Sequence, residues 1–408
     1  MQKTVSPASL CGTLSVIPSK SASHRAVMMA ALCREETRLA PLQHSRDIEA
    51  TLACAKALGL GQQDAPQGLR TLDCGESGST LRFFIPLALD GRGPVRFVGH
   101  GRLMQRPLSV YEQLFVPRGI RWTLEADALT VEGRLQSGEF ALAGDVSSQF
   151  ITGLLLALPL LPGDSVIRIT TALESRAYVE LTRRIQQAFG VNSRWADERT
   201  LLVPGGQTPV SPGSFAIEGD WSHAAFYLVA GALGKAGPLT LRRLDMDSTQ
   251  GDRAIVPILR SMGARIEETA DGLTVSPSAL HGASVDVTQV PDLVPVLAVA
   301  MAGAQGESRI TGAARLRIKE SDRLSAIAAA LNACGAQVTE LPDGLVIRGG
   351  QPLHSAAVDG CNDHRIVMAM AVAAAICDGE IAISDAEAVA KSAPAFWQEY
   401  ASLGGQAR

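Results

Sequence analysis

Aromatic residues make up only 4% of the 408, and no stretch gathers a long run of basic side chains; Lys and Arg number 37 against 41 Asp and Glu, a net charge of -4. The lack of a basic block argues against a broad nucleic-acid surface and leaves room only for local anion sites. The seven cysteines are scattered and form no CxxC pair, which excludes a zinc knuckle and reads as reduced, mostly buried thiols of a cytoplasmic protein. The seven histidines form no HExxH, and GHGR at Gly99–Arg102 is not followed by GK[ST], so neither a zincin helix nor a phosphate loop is present. The first twenty residues lack the apolar core of a secretory signal. The most apolar runs, Phe150–Leu161 and Ile366–Ile376, are too short for a bilayer and read as buried helices. With 46% hydrophobic and 19% charged residues, the chain has the means for a large buried core.

What is abundant is glycine, 39 residues, and it recurs with order. Gly59, Gly119, Gly190, Gly263, Gly335 and Gly404 each follow a helical run, at intervals of roughly seventy residues. A glycine there can end a helix in the left-handed conformation. After the middle four comes a strand, a polar turn and a second strand, clearest in GARIEETADGLTVSP and GAQVTELPDGLVIRGG. A very apolar helix then starts at Ser, Asp or Gly, as in GSTLRFFIPLAL, SSQFITGLLLAL, DWSHAAFYLVAGAL, DLVPVLAVAMAG and DHRIVMAMAVAAAI. The unit predicted is strand, helix, strand, strand, helix, repeated six times. Helices apolar on most sides call for burial at the centre of a three-unit domain with sheets outside. The predicted domains are 19–219 and 1–18 with 220–408, the first residues adding an edge strand to the second.

Polar clusters sit at the helix entrances: Lys20, Ser21, His24 and Arg25; Glu76 to Arg82; Arg102 and Arg106; Ser147, Ser148 and Gln149; Asp292; Lys319, Glu320, Asp322 and Arg323; Asp363, His364 and Arg365; Lys391 and Ser392. Helix N-termini offer free N–H groups and a positive dipole end, and arginine offers a bidentate fork, so such clusters suit a small substrate with several negative groups. Singly, most of these residues are explained as caps. Arg82 can merely tie two helices together, and Asp47 can be an ordinary first-turn acid.

Taken together in one order, PSKSASHR (Pro18–Arg25), ESGSTLR (Glu76–Arg82), MQRP (Met104–Pro107), GDVSSQF (Gly144–Phe150), QGD (Gln250–Asp252), RIKESDRL (Arg317–Leu324), NDHR (Asn362–Arg365) and KS at Lys391 resemble the 5-enolpyruvylshikimate-3-phosphate synthase family of enolpyruvyl transferases. The resemblance runs over essentially the whole chain. It implies an α/β fold of two domains, an inside-out, barrel-like arrangement in which each domain has three βαβαββ units around buried parallel helices. It implies transfer of the enolpyruvyl group of phosphoenolpyruvate to the 5-hydroxyl of shikimate 3-phosphate, without metal or organic cofactor. A monomer is expected, because one chain carries every residue of the site, with small-molecule substrates and no nucleic acid or membrane as partner. By the same resemblance Ser21, Arg25, Ser147, Ser148, Ser175, Tyr178 and Lys319 face the shikimate phosphate. Lys20, Gly78, Arg106, Gln149, Arg323, Arg365 and Lys391 face phosphoenolpyruvate, with Gly78 leaving its wall bare. Asp292 accepts the hydroxyl proton, Glu320 serves the methylene carbon, and Lys20 assists the leaving phosphate. Asp47, Arg82 and His364 are supporting residues.

The chain departs from the family pattern at Ile17–Pro18, at Glu76 where Asn is common, and at Ala393 where an aromatic is usual. Pro117 is expected to end the helix before Gly119 early. The related transferases acting on UDP-N-acetylglucosamine usually have Lys-Asn in the first motif and a loop cysteine; this chain has Lys20-Ser21 and no cysteine near Arg106. RNA 3'-phosphate cyclases, built from similar units, are disfavoured by the two sets of carboxylates and arginines and by the missing basic groove.

Overall fold

The computed structural model describes residues 1–62 and 66–408. The chain divides into two compact units, one of Lys20–Ile217 and the other of Met1–Ser19 with Glu218–Arg408. The first unit contains helices α1 (Lys20–Leu32), α2 (Arg46–Leu58), α3 (Gly78–Ala88), α4 (Ser109–Phe115), α5 (Ser148–Ala157) and α6 (Arg176–Ala188). The second contains α7 (Trp221–Leu233), α8 (Ile255–Ser261), α9 (Val294–Gly303), α10 (Arg323–Ala333), α11 (His364–Ala373) and α12 (Phe396–Ser402).

The apolar runs form the buried helices as their composition requires. Every residue of α9 from Val294 to Ala302 is buried, and so is every residue of α11. Such a helix has no polar face to give to water, so it must be covered all round. In the first unit α3 and α5 pack directly on each other. A Cβ added at Gly153 of α5 would lie 2.1 Å from the Tyr111 hydroxyl and 2.5 Å from the Arg82 carbonyl oxygen. That hydroxyl donates toward the carbonyls of Arg82 and Phe150, at 3.0 and 2.9 Å. Gly153 is what lets the two backbones approach.

The strands show the repeat more fully than the sequence does. Six parallel strand pairs recur, and in four of them the strand just before a buried helix pairs with the strand just after it. Around α3 these are Arg70–Asp73 and Val95–Val98; around α5, Glu139–Leu142 and Ser165–Ile169. The predicted five-element unit therefore lacks one strand, the short one that leads into the buried helix. Two helices borrow theirs from a distant part of the chain. Gly12–Ser15 pairs with Leu239–Arg242 around α7, and Ser214–Phe215 pairs with Arg38–Leu39 around α1. The N-terminal segment supplies two edge strands where one is expected, since Lys3–Val5 also pairs with Ile381–Ile383. The six glycines after the amphipathic helices all have positive φ, from 67° at Gly59 to 97° at Gly263. Pro117 acts as expected: α4 stops at Phe115 and a single 3-10 turn, Val116–Arg118, completes the connection.

All seven cysteines are free thiols. Replacing Gly153 by Ala should lower stability by about 1–3 kcal/mol through overpacking. Thermal melts of G153A against the wild type would read it, and an unchanged melting temperature would contradict the close approach of α3 and α5.

Candidate functional site

In the unit of Lys20–Ile217, the expected residues gather at helix N-termini. Lys20 opens α1, and its ammonium lies 3.0 Å from Asp47 Oδ2 in the first turn of α2. One turn along α1, His24 Nδ1 is 2.7 Å from Thr51 Oγ1, which is 2.7 Å from Thr80 Oγ1. Thr80 in turn donates to Ser77 Oγ at 2.7 Å, the N-cap of α3. This buried hydroxyl chain ties α1, α2 and α3 together under Lys20. Burial first, then the charges of Lys20 and Arg25, push His24 well below its ordinary pKa and keep the ring neutral.

Arg25 is buried and holds helices rather than facing solvent. Its Nε donates to Thr182 Oγ1 at 2.7 Å, Nη1 to the Ser21 carbonyl at 2.7 Å, and Nη2 to Thr152 Oγ1 at 3.3 Å and the Tyr178 carbonyl at 3.2 Å. Burial pushes its pKa down to about 10. Ser147 caps α5 by accepting from Gln149 N–H. Gln149 Oε1 accepts from Arg82 Nη1 at 2.7 Å, and its Nε2 donates to Ser79 Oγ at 3.0 Å. Arg82 reaches on to the Pro107 carbonyl at 3.2 Å, so it does tie helices as the simpler reading holds. The side-chain position of Gly78 is occupied: a Cβ there would be 2.6 Å from Arg106 Nη1. The bare wall makes room for the Arg106 guanidinium. Ser175 and Tyr178 stand at the start of α6, with Ser175 at φ 55°, a left-handed conformation costly for a non-glycine residue.

The second cluster lies in the other unit. Asp292 sits in the 3-10 turn leading into α9. Its Oδ1 is 2.9 Å from Arg323 Nη1 and 3.6 Å from Lys319 Nζ, and its Oδ2 is 3.5 Å from Arg365 Nη2. Burial works to raise this carboxyl, but Arg365, Lys319 and Arg323 outweigh it and hold Asp292 well below the usual carboxylate range. Arg323, 1% exposed, also donates from Nη2 to Glu320 Oε2 at 2.8 Å and from Nε to Asp363 Oδ2 at 2.7 Å. Burial opposes its charge, while Asp363, Glu320 and Asp292 raise its pKa above the ordinary value. Arg323 therefore serves three carboxylates at once. Asp363 is fully buried, accepts from Ser321 as well, and caps α11 through Arg365 N–H. Arg365 Nη1 reaches the Asp292 carbonyl at 3.1 Å. Lys391 Nζ donates to the Asn362 carbonyl at 2.6 Å, beside the buried His364.

Residue-type reasoning placed His24, Asp363 and Asp252 within its motifs but gave none of them a role of its own. QGD carries recognisable residues, yet nothing in it foretells that Gln250 accepts from Ser19 and from Trp221 N–H, or that Asp252 is buried. Among the described residues no group of three or more His, Cys, Asp or Glu is placed to hold a metal ion, and no helix is long and apolar enough to cross a membrane.

Comparison with solved proteins gives first the architecture. The chain superposes on the structure of an EPSP synthase from Acinetobacter baumannii with a TM-score of 0.81 over the whole of both chains, at 24% identity. It matches the enolpyruvyl transferase NikO from Streptomyces tendae with a TM-score of 0.79, at 16% identity, covering 100% of this chain and 98% of that one. The fold is that of the enolpyruvyl transferases. At the level of sequence, the 3-phosphoshikimate 1-carboxyvinyltransferase of Clostridium kluyveri is 44% identical, over 99% of this chain and 97% of that protein. Its counterpart in Clostridium novyi is 42% identical, over 98% and 96%. The model of the EPSP synthase (3-phosphoshikimate 1-carboxyvinyltransferase) family matches residues 5–400, and the chain belongs to that family.

The three-carboxylate arrangement makes Arg323 structural as well as electrostatic. Arg323→Gln should cost about 3–5 kcal/mol, because it leaves buried acids without their shared cation. Unfolding midpoints for R323Q would measure this; a variant of unchanged stability and only weakened substrate affinity would show Arg323 to be a ligand clamp instead.

Proposed function

We propose that the protein transfers the enolpyruvyl group of phosphoenolpyruvate to the 5-hydroxyl of shikimate 3-phosphate, releasing inorganic phosphate. The observation that carries this reading is the cluster in which two carboxylates, Asp292 and Glu320, share the buried Arg323 while Lys319 and Arg365 stand beside Asp292. In a chain of this family, such a cluster supplies both proton carriers and the cations that an anionic substrate needs.

In this mechanism the 5-hydroxyl oxygen adds to C2 of phosphoenolpyruvate while Glu320 delivers a proton to C3. The hydroxyl proton passes to Asp292. C2 of the tetrahedral intermediate then carries a methyl group, the carboxylate, the phosphate and the new ether oxygen. Elimination reverses the carbon protonation: Glu320 takes a methyl proton, the bond from C2 to the phosphate oxygen breaks with its electron pair, and Lys20 protonates the departing phosphate. The proton held by Asp292 returns through solvent to Lys20. Held by three cations, Asp292 is a weak base. A substrate carboxylate docking on Arg365 competes for one of those cations and so raises the proton affinity of Asp292 as the reaction needs. Arg365 is the carboxylate clamp in this reading, and Arg323 sets the spacing of Asp292 and Glu320. Arg106 and Lys391 hold the phosphate of phosphoenolpyruvate. Ser21, Ser147, Ser148, Ser175, Tyr178, Arg25 and Lys319 serve shikimate 3-phosphate, and Gln149, fixed by Arg82 and Ser79, lines the enolpyruvyl side. Asp47 orients Lys20. The protein acts as a cytoplasmic monomer.

Two measurements test this. Phosphate release should require both shikimate 3-phosphate and phosphoenolpyruvate and persist in chelator; release only with UDP-N-acetylglucosamine as acceptor would overturn the assignment. Glu320→Gln should lower the single-turnover rate by roughly 10²–10⁴-fold with little change in shikimate 3-phosphate affinity. Normal chemistry with poor affinity would reduce Glu320 to an ion-pair partner of Arg323.

A further inference from the structure

One buried acid beside the second cluster has no part in this mechanism. Asp252 lies in the 3-10 turn Gly251–Ala254 before α8 and is 2% exposed. Ser222, in the first turn of α7, donates its hydroxyl to Oδ2. Oδ1 is buried with no hydrogen-bond partner. An ionised carboxylate needs donors on both oxygens when it is cut off from water, and one serine hydroxyl is half of what it needs. The charges that face Asp252 are those of Asp292 before α9, Arg365 of α11 and Asp220, the N-cap of α7. Its own neighbour Arg253 is turned away, donating to the Met246 carbonyl. Asp292 and Asp220 are negative, and Arg365, which is positive, is the proposed seat of the substrate carboxylate.

We propose that Asp252 is a positioning residue that takes up a proton when an anion docks on Arg365, so that binding of phosphoenolpyruvate is coupled to the charge of this buried acid. The inference rests on the enolpyruvyl-transfer reading of the cluster and adds to it a proton-linked control of substrate affinity. Arg365 favours the ionised form of Asp252, while Asp292 and Asp220 oppose it. A carboxylate on Arg365 cancels that support and adds a further negative charge nearby, so the neutral acid becomes the preferred form. Burial first, and then Asp292, already push the Asp252 carboxyl up to about 6. Docking moves it higher.

The sign of the effect follows from linkage. The anion binds better to the protonated form, so affinity is greatest below about pH 6, where Asp252 is already neutral. Affinity falls as pH rises above that, by at most about tenfold per pH unit for a single proton. Asp252→Asn mimics the neutral acid and still accepts from Ser222. The simpler role, an acceptor that fixes Ser222 and nothing more, predicts no such dependence.

The test is the KM for phosphoenolpyruvate between pH 5.5 and 8.5, at saturating shikimate 3-phosphate, for the wild type, D252N and S222A. Ionisation of the substrate phosphate is common to all three and cancels in their ratios. Near pH 5.5 the wild type and D252N should have similar KM. At pH 8 the KM of D252N should be lower than that of the wild type by roughly 3–10-fold, with kcat changed much less. In S222A the acid loses its one donor, so the pH at which KM begins to rise should move upward. Parallel profiles for the wild type and D252N, or a KM raised by the same factor at every pH, would reduce Asp252 to a structural acceptor. Should D252N fail to fold, an unmoved break in S222A would overturn the proposal. A wild type that does not turn over this substrate pair would instead overturn the functional reading itself.

Discussion

Much of the structure depends on a single constraint: the principal helices are apolar on every side. A helix such as α9 cannot lie on a surface, so the sheets of its unit must form the cover. The same constraint banishes polar chemistry from the helix bodies and concentrates it at their first turns, where free N–H groups need partners and where the dipole favours anions. Lys20 and Ser21 on α1, Ser148 and Gln149 on α5, Asp292 before α9 and Arg365 on α11 all occupy such places. Fold and site are thus two results of one composition.

The first turns cannot be left to water alone, and their solutions differ. In α2, α3, α5, α7, α10 and α11 a Ser or Asp side chain caps the backbone. At α1 the cluster is organised by a neutral histidine and a line of hydroxyls, which add no charge beneath Lys20. At α10 and α11 it is organised by charge, with Arg323 and Asp363 sealed from solvent. A buried ion pair is a poor source of stability but a strict source of geometry, because any displacement leaves a charge unpaired. That strictness suits a pair of carboxylates, Asp292 and Glu320, which are assigned different proton transfers.

The buried helices were legible because their apolar runs are continuous, and the amphipathic helices because their glycine terminators recur. The strands leading into the buried helices were not. Arg70–Asp73 and Glu139–Leu142 are four residues each, mixed in polarity, and acquire their strand character only from the parallel partner beyond the helix. Ser214–Phe215 is shorter still, and its partner Arg38–Leu39 lies far away in sequence. For the site, residue types marked out the charged positions, because an anionic substrate needs cations and a proton transfer needs acids. What residue types do not carry is the sharing of those charges. That Arg323 is spent on three carboxylates, that Arg106 fills the space beside Gly78, and that Asp252 lacks a second donor are facts of packing and distance.

The central claim is that chemistry passes through an intermediate whose former methylene carbon has become a methyl group. Carrying out the reaction in deuterium oxide tests this most directly. Glu320 would deliver a deuteron to C3, the resulting CH2D group rotates, and loss of either of its two protium atoms on elimination leaves the deuteron in the product. The account predicts deuterium in the methylene group of the enolpyruvyl product, seen by mass spectrometry after a single turnover. Product formed at full yield with no deuterium at that carbon would contradict addition and elimination and, with them, the role given to the Asp292–Glu320 pair.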